Sequence, residues 1–296
     1  MNDHLSPTQL HLRRFEQMKY VYPVLSRRSG GISIGINLNP DRACPFACVY
    51  CQVLADSEPL GPGDMATGSA AIDLNRLERE LRQVLAVVQD GTLFRENPRF
   101  HGIDERLRRL NDLAFSGDGE PTISPRFGEA VERVAAVRRE LCPAEVKLVL
   151  ITNATRLRQP KVLAGLERLM QENGEVWAKL DAGTESFYRQ VSRSQVPFST
   201  VLTGIIETSR EFPIVIQTCF FAMAGQPPPD EEITAYIDRL REIHAGNGHL
   251  ARIQLYTVAR RTPDPQVTPL EDETLNRIAD QVRANTQLPV EVFYSR

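Results

Sequence analysis

An α/β fold, in which helices cover a parallel sheet, is predicted by two features of the chain. Six short runs are apolar along almost their whole length, as strands buried on both faces must be. Each is followed by a longer stretch whose apolar residues recur at helical spacing. A doubly wound sheet and a barrel both produce this alternation, so the period alone does not separate them. With 296 residues, no internal repeat and no linker of shifted composition, the chain is expected to form one domain over 1–296.

Residues 1–30 are polar and basic and read as an N-terminal extension, whose apolar island at 20–25 packs on the domain body. The first buried strand is expected at 31–38, ended by Asn39 and Pro40. Asp73 is placed to cap a helix with Leu74, Leu77, Leu81, Val84, Leu85 and Val88 on one stripe. A second strand at 112–116 leads to a helix with Phe127, Val131, Val134, Val137 and Leu141 inward. The third, at 146–151, precedes a helix opened by Pro160 and carrying Val162, Leu163, Leu166, Leu169 and Met170. After the fourth, at 176–180, helical segments fall near 185–191 and 199–210. The fifth, at 214–220, gives way to three prolines and a helix with Ile233, Tyr236, Ile237, Leu240 and His244 on one side. The sixth, at 252–258, ends a core of 31–260. Residues 261–296 add a helix with Leu275, Ile278, Ala279 and Val282 inward, then a strand near 290–294.

No apolar run is long enough to span a bilayer, and the N-terminus lacks a basic-then-apolar leader, so a cytoplasmic protein without membrane contact is expected. Two of its five cysteines, Cys142 and Cys219, stand alone, which is no disulfide framework and agrees with a reducing compartment. The net charge of −3 provides no global attraction to nucleic acid. Basic residues do gather locally, at Arg13, Arg14, Lys19, Arg27 and Arg28 and again at Arg260 and Arg261. They form either solvated faces or a phosphate-contacting patch, and the second requires them to converge.

The chemistry centres on Cys44, Cys48 and Cys51, spaced C-x3-C-x2-C just after the first strand. Three thiolates on one short loop suit a thiolate-seeking metal centre, and they leave one coordination position open. A structural zinc site lacking its fourth ligand and a chance gathering of core cysteines are the plainer readings. None of His4, His11, His101, His244 or His249 stands at finger-like spacing, which disfavours zinc.

This spacing, with Tyr50 just before the last cysteine, resembles the signature of the radical SAM superfamily. Stretches 34–40, 115–122, 179–184 and 254–260 resemble one branch of it, the bacterial Fe–S oxidoreductases similar to the tRNA-modifying wyosine-base synthases. The resemblance implies a partial (β/α)6 TIM-like barrel whose cluster loop follows the first strand. It implies a 4Fe–4S cluster on Cys44, Cys48 and Cys51, with S-adenosylmethionine (SAM) chelating the fourth iron. Tyr50 would lie beside the adenine. Gly117, Gly119 and Glu120 match the glycine-rich segment that receives the methionine amino group, glycines exposing carbonyls and Glu120 adding acceptor capacity. Asn153 would help to hold SAM, although a turn or capping role accounts for it nearly as well. Lys179 and Asp181 share a strand face and must be paired or ligand-bound if they point inward; the resemblance implies that they contact the SAM ribose or carboxylate, with a structural ion pair as the alternative.

Gln217 and Cys219 share one face, and Arg252, Gln254 and Tyr256 another; both sets could line a substrate cavity. A lone cysteine such as Cys219 is equally a small buried hydrophobe. Trp177 reads as outward packing. The wyosine enzymes carry a second cysteine set that this chain lacks, so one cluster is expected. The implied reaction is reductive cleavage of SAM to a 5′-deoxyadenosyl radical, which takes hydrogen from an unassigned substrate, with a tRNA base as one candidate. It needs an external one-electron donor of flavodoxin or ferredoxin type. Two other classes stay open: an iron–sulfur electron carrier or sensor without SAM chemistry, and a nucleic-acid-binding module with structural zinc.

Overall fold

A computed structural model describes residues 18–55 and 71–295. In chain order its strands are β1 (Val21–Ser26), β2 (Gly31–Ile36), β3 (Leu110–Phe115), β4 (Lys147–Thr152), β5 (Gly174–Lys179), β6 (Ile214–Cys219), β7 (Phe221–Met223), β8 (Leu250–Tyr256), β9 (Val267–Pro269) and β10 (Val290–Phe293). Eight of them form one sheet in the order β1-β2-β3-β4-β5-β6-β8-β10, while β7 and β9 pair apart. All neighbours in the large sheet are parallel except β1, which runs antiparallel to β2.

Strand order never reverses, so there is no switch point of the doubly wound kind. The sheet curls into a half-barrel instead. Arg28, in the turn between β1 and β2, sets its guanidinium 4.6 Å from the ring centroid of Tyr256 at the far end of β8, although four strands lie between β2 and β8.

Helices α1 (Gln52–Ala55), α2 (Leu74–Gln89), α3 (Thr92–Glu96), α4 (Phe127–Leu141), α5 (Pro160–Met170), α6 (Glu185–Ser192), α7 (Phe198–Glu211), α8 (Asp230–Ala245) and α9 (Asp272–Thr286) fill the connections. The outward strand residues, among them Ile34, Phe115, Leu150, Val176, Ile216 and Leu255, are wholly buried against the helices' apolar stripes. Asp73 caps α2 as expected, accepting from the backbone of Asn75 and Arg76. On α8 the inward position belongs to Ile243, and His244 is exposed. Among the described residues no helix is long and apolar enough to cross a membrane.

Two expectations are made specific here and one is corrected. Most of the island at 20–25 lies in strand β1, Val21–Ser26, whose Tyr22 ring fills the space above Gly35, where a side chain would collide with it. The terminal strand belongs to the main sheet, since β10 pairs parallel with β8. Trp177 faces the interior with Ala114, Val149 and Val215, because period two puts it on the same face as Lys179.

The N-terminal ends of the strands are closed by ion pairs. Glu175 takes Lys147 at 2.5 Å, Arg252 at 2.6 Å and the Trp177 indole N–H at 2.7 Å, and Arg252 also reaches Glu291 at 3.3 Å. Gln254 donates to Glu291 and accepts from Gln217, and both amides are wholly buried. Arg252, Gln217 and Gln254 therefore plug the barrel rather than line an open cavity.

Burial alone would raise the Glu175 carboxyl, but its hydrogen bonds with Arg252, Lys147 and Trp177 outweigh that and hold it at about 2 instead of 4.5. Stability from this lowered group is complete above its ordinary value and is lost as pH falls toward 2. Glu175→Gln is expected to cost about 1–3 kcal/mol at neutral pH and to flatten that acid limb, as read by urea unfolding across pH.

Candidate functional site

The loop after β2 carries the three cysteines over the interior and is tied down on both sides. Glu120 N–H donates to the Ala43 carbonyl at 2.9 Å, on the β3 side. On the α6 side, Ala47 and Val49 N–H donate to the carbonyls of Ser192 and Val191, and Ser194 Oγ donates to that of Pro45. The residues between the cysteines are apolar for a reason. Phe46 packs edge-on against Tyr188, and Val49 is wholly buried beside Val191, Cys219 and Phe221.

The glycine-rich segment after β3 abuts this loop. Gly117 has φ +133°, and a Cβ there would come within 2.8 Å of the Asn37 side chain. A Cβ on Gly119 would stand 2.3 Å from the Ala43 carbonyl oxygen. Close approach of two chain segments is thus what these glycines permit.

Glu120 has its carboxylate acceptors taken up by the protein. Its carboxylate is buried and turned inward, accepting from Thr122 N–H and Oγ1 at 3.2 and 2.5 Å, Thr152 Oγ1 at 2.7 Å and Asn153 N–H at 2.8 Å. Four donors use the acceptor capacity of one carboxylate. Burial raises its pKa, and these hydrogen bonds offset only part of that. Glu120 joins the end of β3 to the end of β4 and so positions Asn153, whose Nδ2 donates to Cys44 Sγ at 3.8 Å.

Lys179 and Asp181 meet in a buried ion pair at 2.9 Å. Lys179 also donates to the Tyr256 hydroxyl at 2.6 Å, while Asp181 accepts from the Tyr50 hydroxyl at 2.5 Å and Cys219 N–H at 2.7 Å. Burial alone would lower Lys179, but Asp181 and the Tyr256 oxygen reverse that and raise it, so the ammonium stays charged. Tyr50 thereby couples the cysteine loop to the ends of β5 and β6.

No family model matches the chain. The GTPase Obg of Brachyspira hyodysenteriae is 23% identical over 274 residues, 91% of this chain but only 34% of that protein. A UPF0026 protein of Methanocaldococcus jannaschii is 22% identical over 263 residues, 86% of this chain and 68% of its own. This chain thus spans about a third of the first relative and about two thirds of the second.

Among solved structures, a radical SAM methyltransferase from Sphaerobacter thermophilus superposes with TM-score 0.59 at 15% identity, over 93% of this chain and 69% of that one. SuiB from Streptococcus suis, bound to S-adenosylmethionine, gives 0.55 at 13%, over 90% and 52%. TYW1 with a lysine–pyruvate adduct gives 0.53 at 14%, over 87% and 74%.

The fold is that of the radical SAM enzymes. On this half-barrel, Cys44, Cys48, Cys51, Tyr50, Gly117, Gly119, Glu120, Asn153, Lys179 and Asp181 all gather at the C-terminal ends of β2 to β5, where parallel barrels place their chemistry.

Half-buried soft thiols suit an iron–sulfur cluster. Burial pushes Cys44 up to about 12 and Cys48 well above its ordinary value, with the neighbouring thiols adding to both, so a bound cation must displace the protons. Among the described residues no three His, Cys, Asp or Glu side chains draw together as a single ion requires. The loop supplies three thiolates, one short of a closed zinc tetrahedron, whereas a cluster would leave its fourth iron to another ligand. Beside it the buried Asn39 Nδ2 has no hydrogen-bond partner, a donor suited to a cluster sulfide.

Asn37, Asn39 and Ser192 escaped the sequence reading as site residues. The signal for the first two was a pair of asparagines, separated by Leu38, just after a wholly buried strand, whereas Ser192 acts through its backbone carbonyl and left none.

Proposed function

We propose that this chain is a radical SAM enzyme in which Cys44, Cys48 and Cys51 hold a 4Fe–4S cluster whose open iron takes SAM. The observation that carries the reading is the three-thiol loop, pinned by Glu120 and α6 across the C-terminal mouth of a half-barrel. Bound there, the cluster would supply the electron that cleaves SAM to methionine and a 5′-deoxyadenosyl radical able to take hydrogen from a C–H bond.

The protein's own residues provide position and exclusion of water. Glu120 fixes Asn153 and the loop. The Lys179–Asp181 pair and Tyr50 form a buried polar wall beside the thiols, where SAM's charged groups find partners. The ion-paired floor around Glu175 closes the opposite end against water. A reducing cytoplasm and a flavodoxin- or ferredoxin-type donor complete the reading, and the substrate, with a tRNA base among the candidates, is unassigned.

The test is anaerobic reconstitution with iron and sulfide, followed by dithionite, SAM and chromatography for 5′-deoxyadenosine. Stoichiometric cluster and reductive cleavage are expected. Zinc in the purified protein, or a cluster that leaves SAM intact, would overturn the proposal, the second result pointing to an electron carrier.

A further inference from the structure

Arg28 and Arg260, 232 positions apart in the chain, both act electrostatically on Arg27. Arg28 lies on one side of this group, its guanidinium 4.6 Å from the Tyr256 ring centroid. Lys179 Nζ lies 4.6 Å from the same ring, but Asp181 neutralises it. Arg260, four residues beyond Tyr256, donates to Gln52 Oε1 at 3.2 Å and so touches the residue that follows Cys51. Arg27 is exposed, and its guanidinium is held below its ordinary range by burial first, then by Arg28 and Arg260.

Among the described residues none of the three arginines has a carboxylate partner. Of the acids near this corner, Asp181 is ion-paired with Lys179 and accepts from Tyr50, while Asp118 accepts from the uncharged Asn37 amide at 2.7 Å. Many other arginines of the chain do carry such a partner, for example Arg82, Arg126, Arg193 and Arg252. Guanidinium groups that act on one another without an ion-pair partner among the described residues repel, and an anion carrying more than one charge relieves that repulsion.

We propose that Arg27, Arg28 and Arg260 form a receptor for a phosphate group of the substrate, beside Tyr256 and the loop of three cysteines. This rests on reading the chain as an enzyme whose substrate reaches that loop. The phosphate belongs either to a small phosphomonoester or to a nucleic-acid backbone.

The full-length protein is titrated calorimetrically with inorganic phosphate and pyrophosphate against chloride at matched ionic strength, then with a short single-stranded RNA. Phosphate is expected to bind, and Arg28→Gln and Arg260→Gln each to weaken it about tenfold or more while melting at the wild-type temperature. Arg106→Gln, which removes an exposed arginine paired with Asp104, is expected to bind as wild type. RNA binding that shares this arginine dependence and is displaced by phosphate assigns the source to a backbone. Phosphate binding without RNA binding assigns it to a small molecule. Phosphate that binds no better than chloride, or equally in all variants, overturns the receptor. Reductive SAM cleavage by the wild-type protein is measured in parallel, and its failure would remove the enzyme reading while leaving the phosphate titration to be judged separately.

Discussion

Replacing any one of Cys44, Cys48 and Cys51 by serine is expected to cut cluster content and 5′-deoxyadenosine formation by more than about 100-fold, beyond what losing an outer-shell partner costs. The reason lies in the ligand count. Three thiolates are the fewest that can hold a cubane and still leave one iron open, and a hydroxyl is a harder, weaker donor for iron in such a cluster. Cys142→Ser is the control, because Cys142 sits at the C-terminal end of α4 and outside the loop. Iron and sulfide quantification, with the absorbance of the reconstituted protein, reads the outcome. Full cluster content in all three single variants would mean that the loop is not the ligand set.

Glu120→Ala is expected to destabilise the fold by about 3 kcal/mol or more and to lower cluster content with it. Truncation leaves two N–H groups and two hydroxyls facing a buried gap, and it frees Asn153 from the position that brings its amide to Cys44. Glu120→Gln keeps one carbonyl acceptor but turns an NH2 toward existing donors, so an intermediate loss is expected. Chemical denaturation together with iron content separates this from a ligand-facing role. Were Glu120 mainly a SAM contact, the alanine variant would keep wild-type stability and cluster and lose only SAM affinity.

Both expectations rest on contacts between segments far apart in the chain. The Gly117–Glu120 segment lies beside the cysteine loop, and the Glu120 carboxylate, to which the resemblance gives acceptor capacity near SAM, accepts from Thr122, Thr152 and Asn153. A glutamate after a strand gives no sign of whether its carboxylate faces a ligand or the end of the next strand. Here Thr152 and Asn153, 32 and 33 residues further on, decide the question by offering donors. Lys179 and Asp181 were more legible, because two opposite charges on one buried strand face have few alternatives to each other. Trp177 was misassigned against the same rule: two positions from Lys179 it had to share the interior face. For Arg252 and Gln254 the face was right and the depth was not, since their place along the barrel depends on register with β5, β6 and β10.

Local chemistry accounts for what could be read without coordinates. Helix stripes, the Asp73 cap, Pro160 at a helix start and the thiol spacing all act within a few residues of chain, so near neighbours are enough to specify them. Strand order, the recruitment of β1 and β10, the inward turn of Glu120 and the meeting of Arg28 with Tyr256 are pairings between distant segments. Their partners are chosen by which buried hydrogen bonds and apolar faces can be satisfied together, and only the closed half-barrel brings those candidates within reach of one another.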